Sequence, residues 1–176
     1  MLIRNFFGHL ATVCRHRHKV LIHCAKAGIL KRGLLHDLSK FSPAEFIPGV
    51  KYYQGTRSPN EMEREQNGYS SAWLHHKGRN RHHFEYWVDY NPKTKRAEPV
   101  KMPDIFIYEM FCDRVSASKI YKKDAYTNDA PLEYFRRGSA NRAIEKQTSQ
   151  KLEMLLVMLA EKGEEAVFSY IKAQPK

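Results

Sequence analysis

The sequence predicts an all-α fold with a short β-hairpin inserted around residues 84–102. Three observations lead there. Apolar residues return at helical spacing through most of the 176 residues. Two Ser-Pro dipeptides, each followed by an acid, mark helix starts. One aromatic-rich stretch alone favours extended chain.

From Arg4 to Lys31, the residues Leu10, Val13, Cys14, Val20, Leu21, Cys24 and Ala27 keep near-helical spacing, and Gly28 either ends this helix or sits at a close packing point. A second helix is expected from Ile29 to Lys40, with Leu30, Leu34, Leu35 and Leu38 as its apolar side and a bend near Gly28 or Gly33. Ser42-Pro43-Ala44-Glu45 starts a third: serine caps, proline fits the first helical position, and Glu45 can close the capping box. Tyr52-Tyr53-Gln54-Gly55 reads as a loop. Ser58-Pro59-Asn60-Glu61 repeats the start signal, with Gly68 as the stop. The next helix runs from Ser70 or Ser71 through Trp73 and Leu74 to His75-His76 and breaks at Gly78. Phe84, Tyr86, Trp87, Val88 and Tyr90 favour strand, and Asn91-Pro92-Lys93 turns the chain before Pro99-Val100-Lys101-Met102. Pro103-Asp104 opens a helix to about Tyr121. A short helix starts at Asp129-Ala130-Pro131, a long one covers about Asn141 to Lys162, and a last one follows Gly163 from Glu164 to Lys172. All of this reads as one domain, 1–176, with its core in 9–121 and the helices of 130–173 packing on it.

Apolar content of 42% with 12% aromatics is that of a globular chain and excludes disorder as the default. Cys14, Cys24 and Cys112 are scattered in apolar stretches and read as reduced core thiols, which points to the cytoplasm. No secretory signal is visible, and Leu152 to Ala160 is far short of the roughly 20 apolar residues that span a bilayer, so no membrane partner is expected. The formal charge of +11 calls for polyanionic partners: a nucleic acid held by its phosphates, or a small phosphorylated substrate. Lysines and arginines that merely solvate helix faces are the plain alternative.

The residues able to do chemistry come in four groups. His9, His16 and His23 recur every seven residues on the first helix, a rise of about 10.5 Å, so at most one can ligate a given ion. His16 is the choice, since it faces inward with Val20; His18 and His23 belong to the surface or to support. His36-Asp37 is an imidazole beside a carboxylate in an apolar stretch, where a buried Asp needs a cation, either a metal ion or Lys40. His75-His76-Lys77-Gly78-Arg79-Asn80-Arg81-His82-His83 packs four histidines among cations, with Lys77, Arg79 and Asn80 as phosphate-oxygen donors. A basic surface or RNA-binding loop is the alternative. Glu109 and Asp113 lie one turn apart on an apolar helix. Asp113 can complete a His16, His36, Asp37, Asp113 set or pair with Arg114 or Lys119. Glu109 can pair with Arg79 or orient a ligand histidine.

In order, His16 with Val20, Leu34-Leu35-His36-Asp37-Leu38-Ser39-Lys40, His75-His76 and Asp113 resemble the HD-domain superfamily of metal-dependent phosphohydrolases. The block from Trp73 to Trp87 looks like a little-characterised bacterial and phage family of small HD-like proteins, the likeness running from about His16 to Tyr121. The His-Asp string and the double-histidine block are its specific parts; His16 and Asp113 are assigned by order. The resemblance implies a compact HD-like helical bundle holding one or two divalent ions (manganese, iron, zinc, cobalt or nickel) on His16, His36, Asp37, His76 and Asp113. It implies hydrolysis of a phosphate ester, a nucleotide or related metabolite, by metal-activated water. Asp37, His75 and Lys40 are then the catalytic residues, Lys77, Arg79, Asn80, His82 and His83 bind substrate, and Glu109 and Glu45 support the ligands. Two-metal members carry a further histidine before the double-histidine block. This chain has none, so Glu45 substitutes or one ion binds. A basic nucleic-acid-binding protein with a structural His and Asp cluster, and a di-iron oxygenase of the same superfamily, are the alternative functions.

Overall fold

The apolar spacing of the amino-terminal segment forms α1 (Leu2–Lys26), which buries Val13, Val20 and Cys24 along one side. The computed structural model describes residues 2–138 and 142–175. After α1 come α2 (Leu30–Leu35), a 3-10 turn (Leu38–Phe41), α3 (Pro43–Lys51), α4 (Pro59–Asn67) and α5 (Ser71–Lys77). A second 3-10 turn (Phe84–Tyr86) leads into β1 (Val88–Asn91) and β2 (Arg96–Pro99). The strands pair antiparallel with Val88 opposite Pro99, as the aromatic stretch and its Asn-Pro-Lys turn predict. Then follow α6 (Asp104–Lys122), α7 (Ala130–Arg137) and α8 (Lys146–Ala173). The fold is all-α with a small β insertion.

Gly68 stops α4 in the left-handed region (φ 79°), and Gly163 breaks α8 with φ 79° and ψ 177°, both where predicted. Glycine alone takes these angles without a Cβ penalty. The expected first residue of the long helix, Asn141, lies outside the described residues; α8 is described from Lys146.

One core joins the ends of the chain. Val20 and Cys24 of α1, Tyr108, Phe111 and Val115 of α6, Phe135 of α7 and Leu152, Leu155, Leu159 and Phe168 of α8 pack together. Cys24 and Cys112 are buried thiols, but Cys14 is exposed, which corrects its reading as a core thiol. Among the described residues no helix is long and apolar enough to cross a membrane.

The expected single helix from Ile29 to Lys40 does not form. The helix ends at Leu35, His36 is extended (ψ 129°), and Asp37 is left-handed (φ 54°, ψ 28°) before the 3-10 turn. The buried stripe is Ile29, Gly33, His36 and Asp37, whereas Leu30, Leu34, Leu35 and Leu38 are about half exposed. Close approach sets this orientation. A Cβ on Gly33 would stand 2.8 Å from Cys24 Cβ and 3.1 Å from Leu21 Cα, so only glycine lets α2 lie this near α1. Arg17 then fixes the end of α2, donating to the carbonyls of His36 (2.8 Å) and Leu34 (3.2 Å).

Candidate metal centre

Adjacent residues of a straight helix point about 100° apart and do not share a pocket. The break after Leu35 removes that restriction. With His36 extended and Asp37 left-handed, a conformation aspartate tolerates better than most residues, His36 Nε2 comes within 3.2 Å of Asp37 Oδ2. Both residues are 1% exposed.

The double-histidine block arrives from the other side. Buried Glu63 of α4 accepts from the Ser70 hydroxyl (2.5 Å) and the Ser71 amide (3.1 Å), and the Ser70 hydroxyl caps the Trp73 amide, so the start of α5 is fixed. The chain then turns back, because the Asn80 amide donates to the His76 carbonyl (2.8 Å) and to Ser39 Oγ (2.8 Å). That turn folds His82 and His83 over His76. From below, α1 and α6 meet along matching stripes. His16 and His23 of α1 face Asp113 and Ser116 of α6, at 2.9 Å (His16 Nε2 to Asp113 Oδ1) and 2.8 Å (His23 Nδ1 to Ser116 Oγ).

Asp37 is the centre of the cluster, and its two oxygens face different partners. Oδ2 lies 3.2 Å from His36 Nε2 and 3.7 Å from His16 Nε2, with Asp113 Oδ1 2.9 Å from His16 Nε2. Oδ1 lies 3.3 Å from His76 Nε2 and 3.4 Å from His82 Nε2. His83 Nε2 is in turn 2.9 Å from His76 Nε2. Donors about 2.1 Å from one ion, at angles between 90° and tetrahedral, stand roughly 3.0–3.4 Å apart, and most of these separations are close to that range. The groups able to hold a metal ion are therefore His16, His36, Asp37 and Asp113 on one side and Asp37, His76, His82 and His83 on the other, with His36, His82 and Glu109 a third, overlapping set.

The donor atoms pass a second test. Among the described residues His16 Nε2, His36 Nε2, His82 Nε2 and Asp37 Oδ1 are buried and make no hydrogen bond of good geometry, and Asp37 Oδ2 has only the Lys40 ammonium beside it at 2.6 Å, although such atoms in a protein interior are nearly always satisfied. The opposite ring edges of His36, His82 and His76 are anchored. Glu109 Oε1 lies 3.1 Å from His36 Nδ1 and 3.3 Å from His82 Nδ1, while Arg32 donates to its Oε2 at 2.6 Å. Glu45 spans His75 Nδ1 and His76 Nδ1 at 2.7 Å each. A carboxylate on Nδ1 fixes the proton there and leaves the Nε2 lone pair aimed inward, as in carboxylate–histidine–metal sites.

The electrostatics follow. Burial works against charge on every member, but His36 and Lys40 hold the Asp37 carboxyl well below its usual range, and His16 and His36 do the same for Asp113. Glu109 is likewise held at about 2 against its burial, by hydrogen bonds from His36 and His82. Burial lowers His16 and His82, whereas Asp37 and its neighbouring carboxylates raise His36 despite burial. Two fixed carboxylates facing inward among histidines offer the nitrogen and oxygen donors that could hold a metal ion.

Sequence reasoning placed most of these residues. His16, His36, Asp37, His76 and Asp113 come together. His9 and His23 do not join them: His9 packs between Phe46 and Tyr53, and His23 stacks on Phe168. Buried His23 is thus a core residue and not a surface one, while His18 is exposed. His82 and His83, expected to bind substrate, point into the cluster, because the Asn80 turn reverses the chain. Asn80, expected on a phosphate, spends its amide on that turn. Glu45 does not replace a ligand or close the capping box; it holds His75 and His76. Lys40 pairs with Asp37 Oδ2 at 2.6 Å, Arg79 donates to the His75 carbonyl from the surface, and Lys77 lines a separate cavity beside Phe84 and Glu85. The partner of Glu109 is Arg32, not Arg79. Arg32 sits one turn before His36, and that spacing was the signal for it.

Residues 5–158 match the model of a family described as a family of unknown function, DUF5662. No curated protein and no solved structure matches the chain.

Proposed function

We propose that this chain, which belongs to the DUF5662 family of unknown function, is a metal-dependent phosphohydrolase acting on a small phosphate ester such as a nucleotide. The observation that carries this reading is the shared Asp37, whose two oxygens face two different sets of buried ring nitrogens. A carboxylate so placed suits a pair of divalent ions. His16, His36, Asp37 and Asp113 would hold one, and Asp37, His76, His82 and His83 the other. Bound ions of this kind lower the pKa of water and neutralise charge on phosphate oxygens.

The rest is the work of the chain. Glu109 and Glu45 keep the Nδ1 protons in place so that the Nε2 atoms stay available. Lys40, with its ammonium on Asp37 and its side chain 30% exposed, stands at the rim, where it can meet a phosphate oxygen. Partly buried His75, its side chain 22% exposed, lies beside the cluster with Nδ1 2.7 Å from Glu45 Oε1. The net charge of +11 draws anions toward the molecule.

A panel of nucleotides and sugar phosphates, incubated with the protein and manganese, tests the reading through release of inorganic phosphate. Turnover by the wild type that is lost in Asp37→Asn is the expected result. Iron-dependent oxygen consumption in place of phosphate release would contradict hydrolysis, and salt-sensitive nucleic-acid binding that survives Asp37→Asn, with no turnover, would favour the binding protein instead.

A further inference from the structure

A cavity of about 360 Å³, apart from the ligand cluster, is lined by Lys77, Phe84, Glu85, Val88, Arg142 and Ala143. It lies within the size range of small-molecule pockets. Its polar groups are unusually placed. One oxygen of Glu85 folds back onto its own backbone N–H, and the other, Oε2, is buried with no hydrogen-bond partner among the described residues. Burial raises the Glu85 carboxyl, and Arg114, Lys77 and Arg142 only partly oppose this, since among the described residues no ion pair closer than 4 Å joins Glu85 to any of them. Arg114 and Arg142 lie against the Phe135 ring, 5.6 and 5.2 Å from its centroid, and Arg114 Nε is also buried without a partner. Phe135 and Tyr134 carbonyls take two of the Arg142 donors and orient its guanidinium.

Two lining cations, Lys77 and Arg142, and one carboxylate surround a cavity with a Phe84 and Val88 wall, and buried Arg114 adds positive charge from behind it, so positive charge is in surplus and one acceptor is unused. A phosphate monoester carries about −1.5 to −2 at neutral pH, and a hydroxyl beside it can donate to Glu85. We propose that this cavity binds a phosphate monoester bearing a nearby hydroxyl, such as a sugar phosphate, with Arg142 and Lys77 on the phosphate and Glu85 on the hydroxyl, the buried Arg114 adding to the field. The site stands whether or not the ligand cluster is hydrolytic. It is also placed to influence that cluster, since Lys77 follows His76, Phe84 follows His83 and Arg114 follows Asp113.

Titration calorimetry on the full chain in EDTA, with ribose 5-phosphate and inorganic phosphate as probes, tests this. Ribose 5-phosphate should bind more tightly than phosphate, and the difference should vanish in Glu85→Ala. Arg142→Met and Lys77→Met should each weaken both probes at least tenfold; Lys77→Met serves where loss of the Arg142 carbonyl contacts disturbs folding. Asp37→Asn should bind as the wild type does. Absence of binding by the wild type, or binding that survives Lys77→Met but is lost in Asp37→Asn, would overturn the assignment and place the anion at the ligand cluster.

Discussion

Replacing Glu109 by Gln should weaken metal binding by both halves of the cluster at once. The carboxylate is almost fully buried, and it serves three partners: His36 and His82 through Oε1 and Arg32 through Oε2. An amide keeps one acceptor oxygen where the carboxylate had two. If that oxygen faces the histidines, the NH₂ group meets the Arg32 guanidinium; if it faces Arg32, the NH₂ group meets two ring N–H donors. In the second case the Nδ1 protons are no longer fixed and the Nε2 atoms lose their aim; in the first, a neutral oxygen holds them less strongly and the NH₂ group pushes Arg32 away. Loss of such a carboxylate support costs about 10- to 100-fold in metal affinity, or about 1.4–2.7 kcal/mol. Because His36 and His82 lie in different groups, both ions should weaken. Manganese titration by calorimetry, with circular dichroism as the control on folding, measures this. Unchanged affinity in a folded Glu109→Gln protein would refute the claim that Glu109 orients the ligands.

Lys40→Met removes the ammonium from buried Asp37 and should cost about 3 kcal/mol or less of stability in EDTA; thermal unfolding should show the gap to the wild type narrowing in excess manganese. Gly49→Ala would bring a Cβ within 2.2 Å of His9 Nε2, and overpacking there should cost about 1–3 kcal/mol in urea unfolding. His9 and His23 are each lowered from 6.5 to about 4, chiefly by burial, with Lys40 and Lys119 assisting. The unfolded chain therefore takes up protons first as pH falls. Stability is full above pH 6.5 and declines toward pH 4, by at most about 3 kcal/mol for each histidine. Urea midpoints in EDTA between pH 7 and 4 should fall, and less steeply in His23→Gln.

The residues of the candidate cluster that were legible in the sequence were those whose chemistry conflicts with their surroundings. Asp37 in a leucine-rich stretch and Asp113 on an apolar helix needed compensation, and both receive it in the cluster. Helix boundaries were legible wherever Ser-Pro or glycine sets backbone angles locally. Orientation was not. Periodicity marks Leu30, Leu34, Leu35 and Leu38 as one face of a helix, but the contact of Gly33 with α1 decides that this face turns outward. The break at His36 and Asp37 was hidden for a related reason, since it depends on a left-handed aspartate held by long-range partners. His82 and His83 follow a non-periodic turn whose direction comes from Asn80 bonding to Ser39, 41 residues away.

Counting the metal ions bound per chain tests the central claim most directly. Protein equilibrated with manganese, freed of excess ion and analysed by elemental mass spectrometry should carry two ions per chain. Folded Asp37→Asn, having lost the carboxylate both groups share, should retain neither in stoichiometric amount. A wild type with no stoichiometric metal, or an Asp37→Asn protein with its metal content unchanged, would contradict the account.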